Sequence, residues 1–278
     1  MQQRTPTFKS SLCSRLFGLF ASKEFPSWFQ AIINKTYVAL MHIDLGEFEK
    51  ATAYKSLNAL FTRTFKVPRV FNTDETTFIS PCDSRISASG IIENETLLQI
   101  KGHEYHLGGL LSDYVSKENK AKLAHGTFIN FYLSPSDYHR YHAPFDMQIK
   151  RAIHIPGKLY PVNFKWLQKV PGLFIENERV VLECHTKNNE LFYMVFVGAL
   201  NVGKMVFNFD ATIQTNANAH NQQCYYYADL HVSKGDELGR FEMGSTIVML
   251  LEKDLLTCEL EEMRHIRFGD VLGTTSHA

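Results

Sequence analysis

The chain has 278 residues, 45 % of them hydrophobic and 13 % aromatic, and its 29 Lys+Arg balance its 29 Asp+Glu. That is enough apolar chain for a sizeable core, and it excludes both a disordered segment and the basic footprint of a nucleic-acid-binding protein. No apolar run approaches the roughly 20 residues of a membrane-spanning helix. Five cysteines without a CxxC pair (Cys13, Cys82, Cys184, Cys224, Cys258) fit a reducing compartment better than a disulfide framework.

Residues 1–35 carry Arg4, Lys9, Arg15, Lys23 and Lys35 against Glu24 alone. Arg15 and Lys23 break the apolar stretch that a signal peptide would need. Leu12, Leu16, Leu19 and Phe20 share one helical face, and Phe25, Trp28, Phe29, Ile32 and Ile33 form a second stripe behind Pro26. A basic amphipathic helix rich in Phe and Trp can lie in a membrane interface, cations on anionic headgroups. The alternative is that both stripes pack on the protein's own core. A third helix is predicted over Leu45 to Phe65, with Tyr54, Leu57, Leu60 and Phe61 as its apolar face, ended by Pro68.

From about residue 69 the text changes to short strands and turns. Strand-like runs cover Phe128 to Leu133 and Phe192 to Leu200. Met205 to Ile213 alternates polar with apolar residues as a half-buried strand, Ser233 to Asp236 reads as a turn, and Ile247 to Leu251 is a short buried strand. The expected class is α+β: a mainly antiparallel, barrel-sandwich-like β core with N-terminal amphipathic helices. The expected boundary falls between a helical region at 1–66, the membrane-docking region if its stripes lie in an interface, and a β-rich core at 67–278.

Three segments hold reactive side chains: Ser80-Pro81-Cys82-Asp83-Ser84, the run Ser134 to Pro144 with His139 and His142, and Gly239 to Thr246. Each has a bland reading alone. Asp83 can stabilise a turn, Gly244-Ser245-Thr246 can lead into a strand, and His139-x-x-His142 can be chance spacing among twelve histidines. A metal hydrolase using His139, His142 and Asp137 lacks further ligands at an obvious spacing. No metal is therefore expected.

Taken together, the three segments resemble the phosphatidylserine decarboxylases, pyruvoyl-dependent enzymes that make phosphatidylethanolamine. Met243-Gly244-Ser245-Thr246 is similar to that family's LGST motif, Tyr138-His139-Arg140-Tyr141-His142 to YHRxH, and Ser80-Pro81-Cys82-Asp83 to SPxDG. Gln99 to His103, Pro156 to Asn163, Asn177-Glu178-Arg179 and Val197 to Gly203 add to the likeness, which runs from about residue 8 to residue 270. Met243 in place of leucine is a volume-conserving swap. Ser84 in place of glycine cannot take a positive φ as cheaply, so a different turn is expected at Asp83.

The resemblance implies that the chain cleaves itself between Gly244 and Ser245, giving a β chain 1–244 and an α chain 245–278. Ser245 Oγ would attack the Gly244 carbonyl, activated by His142 with Asp83 behind it in the manner of a Ser-His-Asp triad. Loss of the Ser245 α-proton then breaks the ester to give dehydroalanine, and hydrolysis releases ammonia and leaves a covalent pyruvoyl group. That group would form a Schiff base with phosphatidylserine and accept electrons as CO2 leaves. His139 would protonate the former α-carbon. A helical turn would put His139 and His142 on one face, and an extended segment would point them apart. The implied partners are phosphatidylserine in an anionic membrane and the two chains of one precursor, with room for a homodimer. The implied location is peripheral, on the cytoplasmic side of the cell membrane, docked through Leu16, Phe20, Phe25, Trp28, Phe29 and Ile32. A different reading is a membrane-docked barrel-sandwich binding module that never matures. The segment Lys234 to Gly239 before a strand is similar to lipoyl-type and sugar-phosphotransferase folds, and such a module would stay one full-length chain.

Overall fold

Mostly apolar runs of seven or eight residues become the four central neighbours of one sheet. The computed structural model describes residues 17–93, 95–100, 103–200, 204–215, 221–242 and 245–275. Its centre is an eight-stranded antiparallel sheet in the order β11-β7-β8-β9-β13-β5-β2-β14. The strands are β2 (Ser84–Ile91), β5 (Thr127–Leu133), β7 (Met147–Ile155), β8 (Arg179–His185), β9 (Leu191–Gly198), β11 (Gln223–Val232), β13 (Ser245–Leu251) and β14 (His265–Ile266). The α+β class with an antiparallel core is as expected.

Both faces of the sheet are covered, which explains why β9 and β13 read as continuous apolar runs rather than alternating ones. A three-stranded sheet of β10 (Met205–Phe207), β12 (Glu237–Phe241) and β6 (Arg140–His142) packs on one face through Tyr141, Phe207, Leu238 and Phe241. Short helices at Leu107–Leu111 and Leu173–Glu176 cover the other through Leu110, Leu111 and Phe174. Ser245 is the first residue of β13, opposite Leu133 of β5 and Gly198 of β9. Directly opposed residues share a face, so the Ser245 side chain lies on the face of Ile247 and Met249, between the two sheets.

Two predicted elements fold differently. The helix expected over 45–65 is a turn, a short 3-10 helix at Ala51–Ala53 and a helix at Leu57–Phe61. The Asn34 amide of the preceding helix (Ser27–Met41) donates to the carbonyls of Ala51 and Tyr54, which removes them from a helical ladder. Ser56 then starts a new helix by accepting from Ala59 N. The strand expected over 205–213 stops at Phe207, because Asp210 Oδ1 accepts from both the backbone N and the hydroxyl of Thr212 and folds the chain into a turn.

β13 lies between β5 and β9 with seven paired residues on each side. Cleavage ahead of Ser245 would leave this strand fully paired. The 245–278 fragment should therefore co-elute with the rest of the chain on native size exclusion and separate only in denaturant.

Candidate active site

The two histidines of the Tyr138–His142 run are brought in by an extended segment. His142 ends β6 and His139 directly precedes it. The odd spacing therefore sends their rings to different surroundings. His139 is fully buried and packs on Phe61, ring centroids 3.9 Å apart. His142 stacks on Phe268 at 3.7 Å.

Hydrogen bonds fix the tautomer of each ring. His139 Nδ1 lies 2.9 Å from the Asp137 carbonyl, and His142 Nδ1 lies 2.8 Å from the Gly235 carbonyl. A carbonyl only accepts, so both Nδ1 atoms carry the proton and both Nε2 atoms are bases. The His142 Nε2 accepts from the Tyr138 hydroxyl at 3.1 Å. The His139 Nε2 is buried without a hydrogen-bond partner among the described residues. Burial is the main cause that lowers both pKa values, to about 3 for His139 and about 4 for His142. Both rings are neutral at pH 7.

Asp83 reaches the same neighbourhood through the backbone. His142 N donates to the Pro81 carbonyl at 2.9 Å, which seats β6 against the Ser80–Asp83 segment. The Asp83 carboxylate takes a two-point ion pair from Arg69, at 2.5 and 2.9 Å, and the Phe268 N–H at 2.7 Å. Both ring nitrogens of His142 have other partners, so Asp83 and His142 meet here through Phe268 rather than through a direct bond. Ser84 is the first residue of β2 and has no positive φ, so the segment does not need the family's glycine at this position.

Ser245 is fully buried, and its Oγ has no hydrogen-bond partner among the described residues. An orphaned hydroxyl at the head of a central strand is costly as a mere structural element. It fits a nucleophile that is consumed, and the compact pyruvoyl group expected in its place needs no more room than serine. Met243 and Gly244, on the other side of the expected cleavage, lie outside the described residues, as does Leu16. Asp137 is committed to its own turn, where its Oδ2 accepts from Ser134 N and Oγ. Among the described residues no group of three or more His, Cys, Asp and Glu is arranged around a metal position.

Several contributors were not visible in the sequence. Arg63 donates to the carbonyls of Ser136 and Asp137, and Arg140 donates back to the carbonyl of Thr62 at 2.9 Å. With Phe61 on His139 and Arg69 on Asp83, residues 61–69 form a strap across the histidine segment. Phe268 contacts Asp83 across 185 residues of sequence. No local pattern announces such pairs.

The expected docking residues sit on the outside of the same region. In the helix Ser27–Met41 the buried residues are the polar Gln30 and Asn34. Trp28 is 69 % and Ile32 54 % exposed, and Phe20 and Phe29 are exposed as well. Phe25 is half-buried between the rings of Phe20 and Phe29. No helix among the described residues is long and apolar enough to cross a membrane.

A family model described as phosphatidylserine decarboxylase matches residues 57–274. The chain is 47 % identical over 262 residues to a phosphatidylserine decarboxylase proenzyme of Campylobacter jejuni, covering 92 % of this chain and 96 % of that one. A proenzyme of the same description from Helicobacter pylori is 46 % identical, covering 95 % and 97 %. One from Idiomarina loihiensis is 36 % identical, covering 94 % and 91 %.

Proposed function

The chain belongs to the phosphatidylserine decarboxylase family, and from that membership we propose that it is made as a precursor that cleaves itself between Gly244 and Ser245. The observation that carries this reading is the buried Ser245 Oγ at the head of β13, which has no hydrogen-bond partner among the described residues. Ser245 Oγ attacks the Gly244 carbonyl. His142 receives the hydroxyl proton at Nε2 once Tyr138 yields that position. Asp83 supports His142 by fixing Phe268, whose ring backs the imidazole.

The pyruvoyl group that replaces Ser245 supplies the electrophilic carbonyl and electron sink that ordinary side chains lack. His139 handles the proton. Its Nε2 is unprotonated in the buried site, so it must gain a proton before it can give one. The substrate ammonium brings that proton. His139 takes it as the amine becomes nucleophilic and returns it to the α-carbon after CO2 has left. Burial disfavours the imidazolium, so the uptake is uphill and the return downhill, and the charged ring exists only between the two steps.

Intact-mass measurement of the expressed protein tests the reading. The expected result is two chains, 1–244 and 245–278, the second lighter by one ammonia than a serine-terminated fragment. Hydroxylamine should abolish decarboxylation and chelators should leave it unchanged. A single uncleaved chain that still decarboxylates phosphatidylserine would overturn it.

We place the enzyme peripherally on the cytoplasmic side of the cell membrane, docked through Phe20, Phe25, Trp28, Phe29 and Ile32. The support is the helix Ser27–Met41, which turns Gln30, Asn34, Ile33, Tyr37 and Val38 toward the protein and leaves Trp28, Phe29 and Ile32 outward. Lys23 and Lys35 are exposed beside it. Burying a large apolar side chain is worth about 1.5–3 kcal/mol, so Trp28→Glu with Ile32→Glu should weaken binding to anionic vesicles about 100-fold. Self-cleavage should be untouched, since neither side chain faces the strap. Vesicle sedimentation with a denaturing gel of the same samples checks both, and unchanged pelleting would misplace the surface.

A further inference from the structure

We propose that Arg69 is a positioning residue for maturation: with Glu47 fixing its far side, it holds the Asp83 carboxylate in the one orientation that keeps Phe268 against His142. The inference rests on the maturation role given to Asp83 above.

The guanidinium is held on three sides. Its two terminal nitrogens meet the two Asp83 oxygens at 2.5 and 2.9 Å. Its Nε and one terminal nitrogen meet Glu47 Oε1 and Oε2 at 3.0 and 2.8 Å. Its plane lies over the Phe65 ring, 4.3 Å from the centroid. Arg267 adds a second cation on Glu47, so that carboxylate is anchored as well. A planar fork bound at two points fixes both the position and the rotation of a carboxylate, which a lysine ammonium cannot do.

The consequence passes along bonded neighbours. Asp83 Oδ1 also accepts the Phe268 N–H at 2.7 Å, and the Phe268 ring lies on the His142 imidazole. A carboxylate that turned away would release Phe268, and with it the face that keeps His142 Nε2 in place. Glu47 lies in the turn that follows the helix Ser27–Met41. The docking region thus reaches the maturation residues through one salt-bridged chain, Glu47 to Arg69 to Asp83.

Arg69 and Asp83 line an open groove of about 560 Å³ with Glu47, Tyr138 and Asp137. A small cation can therefore reach the space that Arg69→Ala would vacate, and this makes the test decisive. Self-cleavage of newly synthesised chain is followed on denaturing gels for the wild type, Arg69→Ala, Arg69→Lys, Asp83→Asn and the Arg69→Ala/Asp83→Asn pair, with thermal melts alongside. The expected result is cleavage slowed about 10- to 100-fold in Arg69→Ala, the range for removing an outer orienting partner, and less in Arg69→Lys. Guanidinium ion should accelerate Arg69→Ala and leave the wild type unchanged. In the Asp83→Asn background Arg69→Ala should add little further slowing, because its effect runs mainly through Asp83, its own bond to the Phe268 carbonyl being long at 3.5 Å. Wild-type cleavage by Arg69→Ala overturns the proposal. So does slowing that guanidinium does not relieve and that multiplies with Asp83→Asn, which marks a general structural role. If Asp83→Asn itself cleaves at the wild-type rate, the role of Asp83 fails and this inference with it. If Asp83→Asn is slow while Arg69→Ala is normal, only the inference fails.

Discussion

His142→Ala should leave the protein as one uncleaved chain of 278 residues, and Ser245→Ala should do the same for want of a nucleophile. A serine hydroxyl is a weak nucleophile until a base takes its proton. His142 is held ready for that role. The Gly235 carbonyl fixes the proton on Nδ1, burial keeps the ring neutral, and Nε2 is left as the base. Its present partner, the Tyr138 hydroxyl at 3.1 Å, is a donor that can yield to a stronger one. Without a base the N-to-O acyl shift loses its first step, and the α-proton of Ser245 has no acceptor. The two substitutions differ in what they leave behind. Ser245→Ala keeps the imidazole stacked on Phe268, so its melting temperature should stay near wild type, whereas His142→Ala opens a gap beside a buried aromatic ring. Intact mass and a denaturing gel read the cleavage. Normal maturation of His142→Ala would move the base elsewhere and remove the stated reason for Asp83.

The sequence carried the sheet and the serine far better than the surroundings of the histidines. β5, β9 and β13 are apolar on both faces, and such runs can be read without knowing their partners. Ser245 was legible because Met243 to Thr246 forms one contiguous motif. The extended conformation of His139 to His142 was not, because it follows from pairing with β12 nearly 100 residues later: Tyr141 lies opposite Gly239. That pairing needs Gly239, since a Cβ there would come within 1.9 Å of the Val206 carbonyl oxygen. The failed helix over 45–65 has the same kind of cause. Its apolar spacing was real, but a side-chain amide on another helix captured two of its carbonyls. The helix Ser27–Met41 shows the limit of amphipathic reasoning. The stripe is plain in the text, yet it divides: Ile33 turns inward with Tyr37 and Val38, beside Gln30 and Asn34, which bond to each other at 2.8 Å, and Asn34 bonds to the following loop, while Trp28, Phe29 and Ile32 stay outside.

His139→Gln should mature normally and then turn over about 10²- to 10⁴-fold more slowly, the range for losing a general acid–base group. The separation follows from the fold. His139 lies under Phe61, whereas His142 lies on Phe268, and each nitrogen bond of one ring is independent of the other. Glutamine can still donate toward the Asp137 carbonyl and fill much of the space under Phe61, so the segment stays in place while the proton carrier is gone. The pH dependence gives a second reading. With its pKa lowered to about 3, His139 is already the base at neutral pH, so kcat/KM should show no acid limb from this group between pH 5 and 7. Stability carries the opposite signature. An unfolded histidine takes up its proton near pH 6.5 and the buried one only near pH 3, so the unfolded chain binds more protons in between. The wild type should therefore lose stability as pH falls from about 6.5, and His139→Gln should flatten part of that decline. Melting curves and single-turnover assays across this range check both. The assignment fails if His139→Gln blocks cleavage as completely as His142→Ala, because the two histidines would then act in one step.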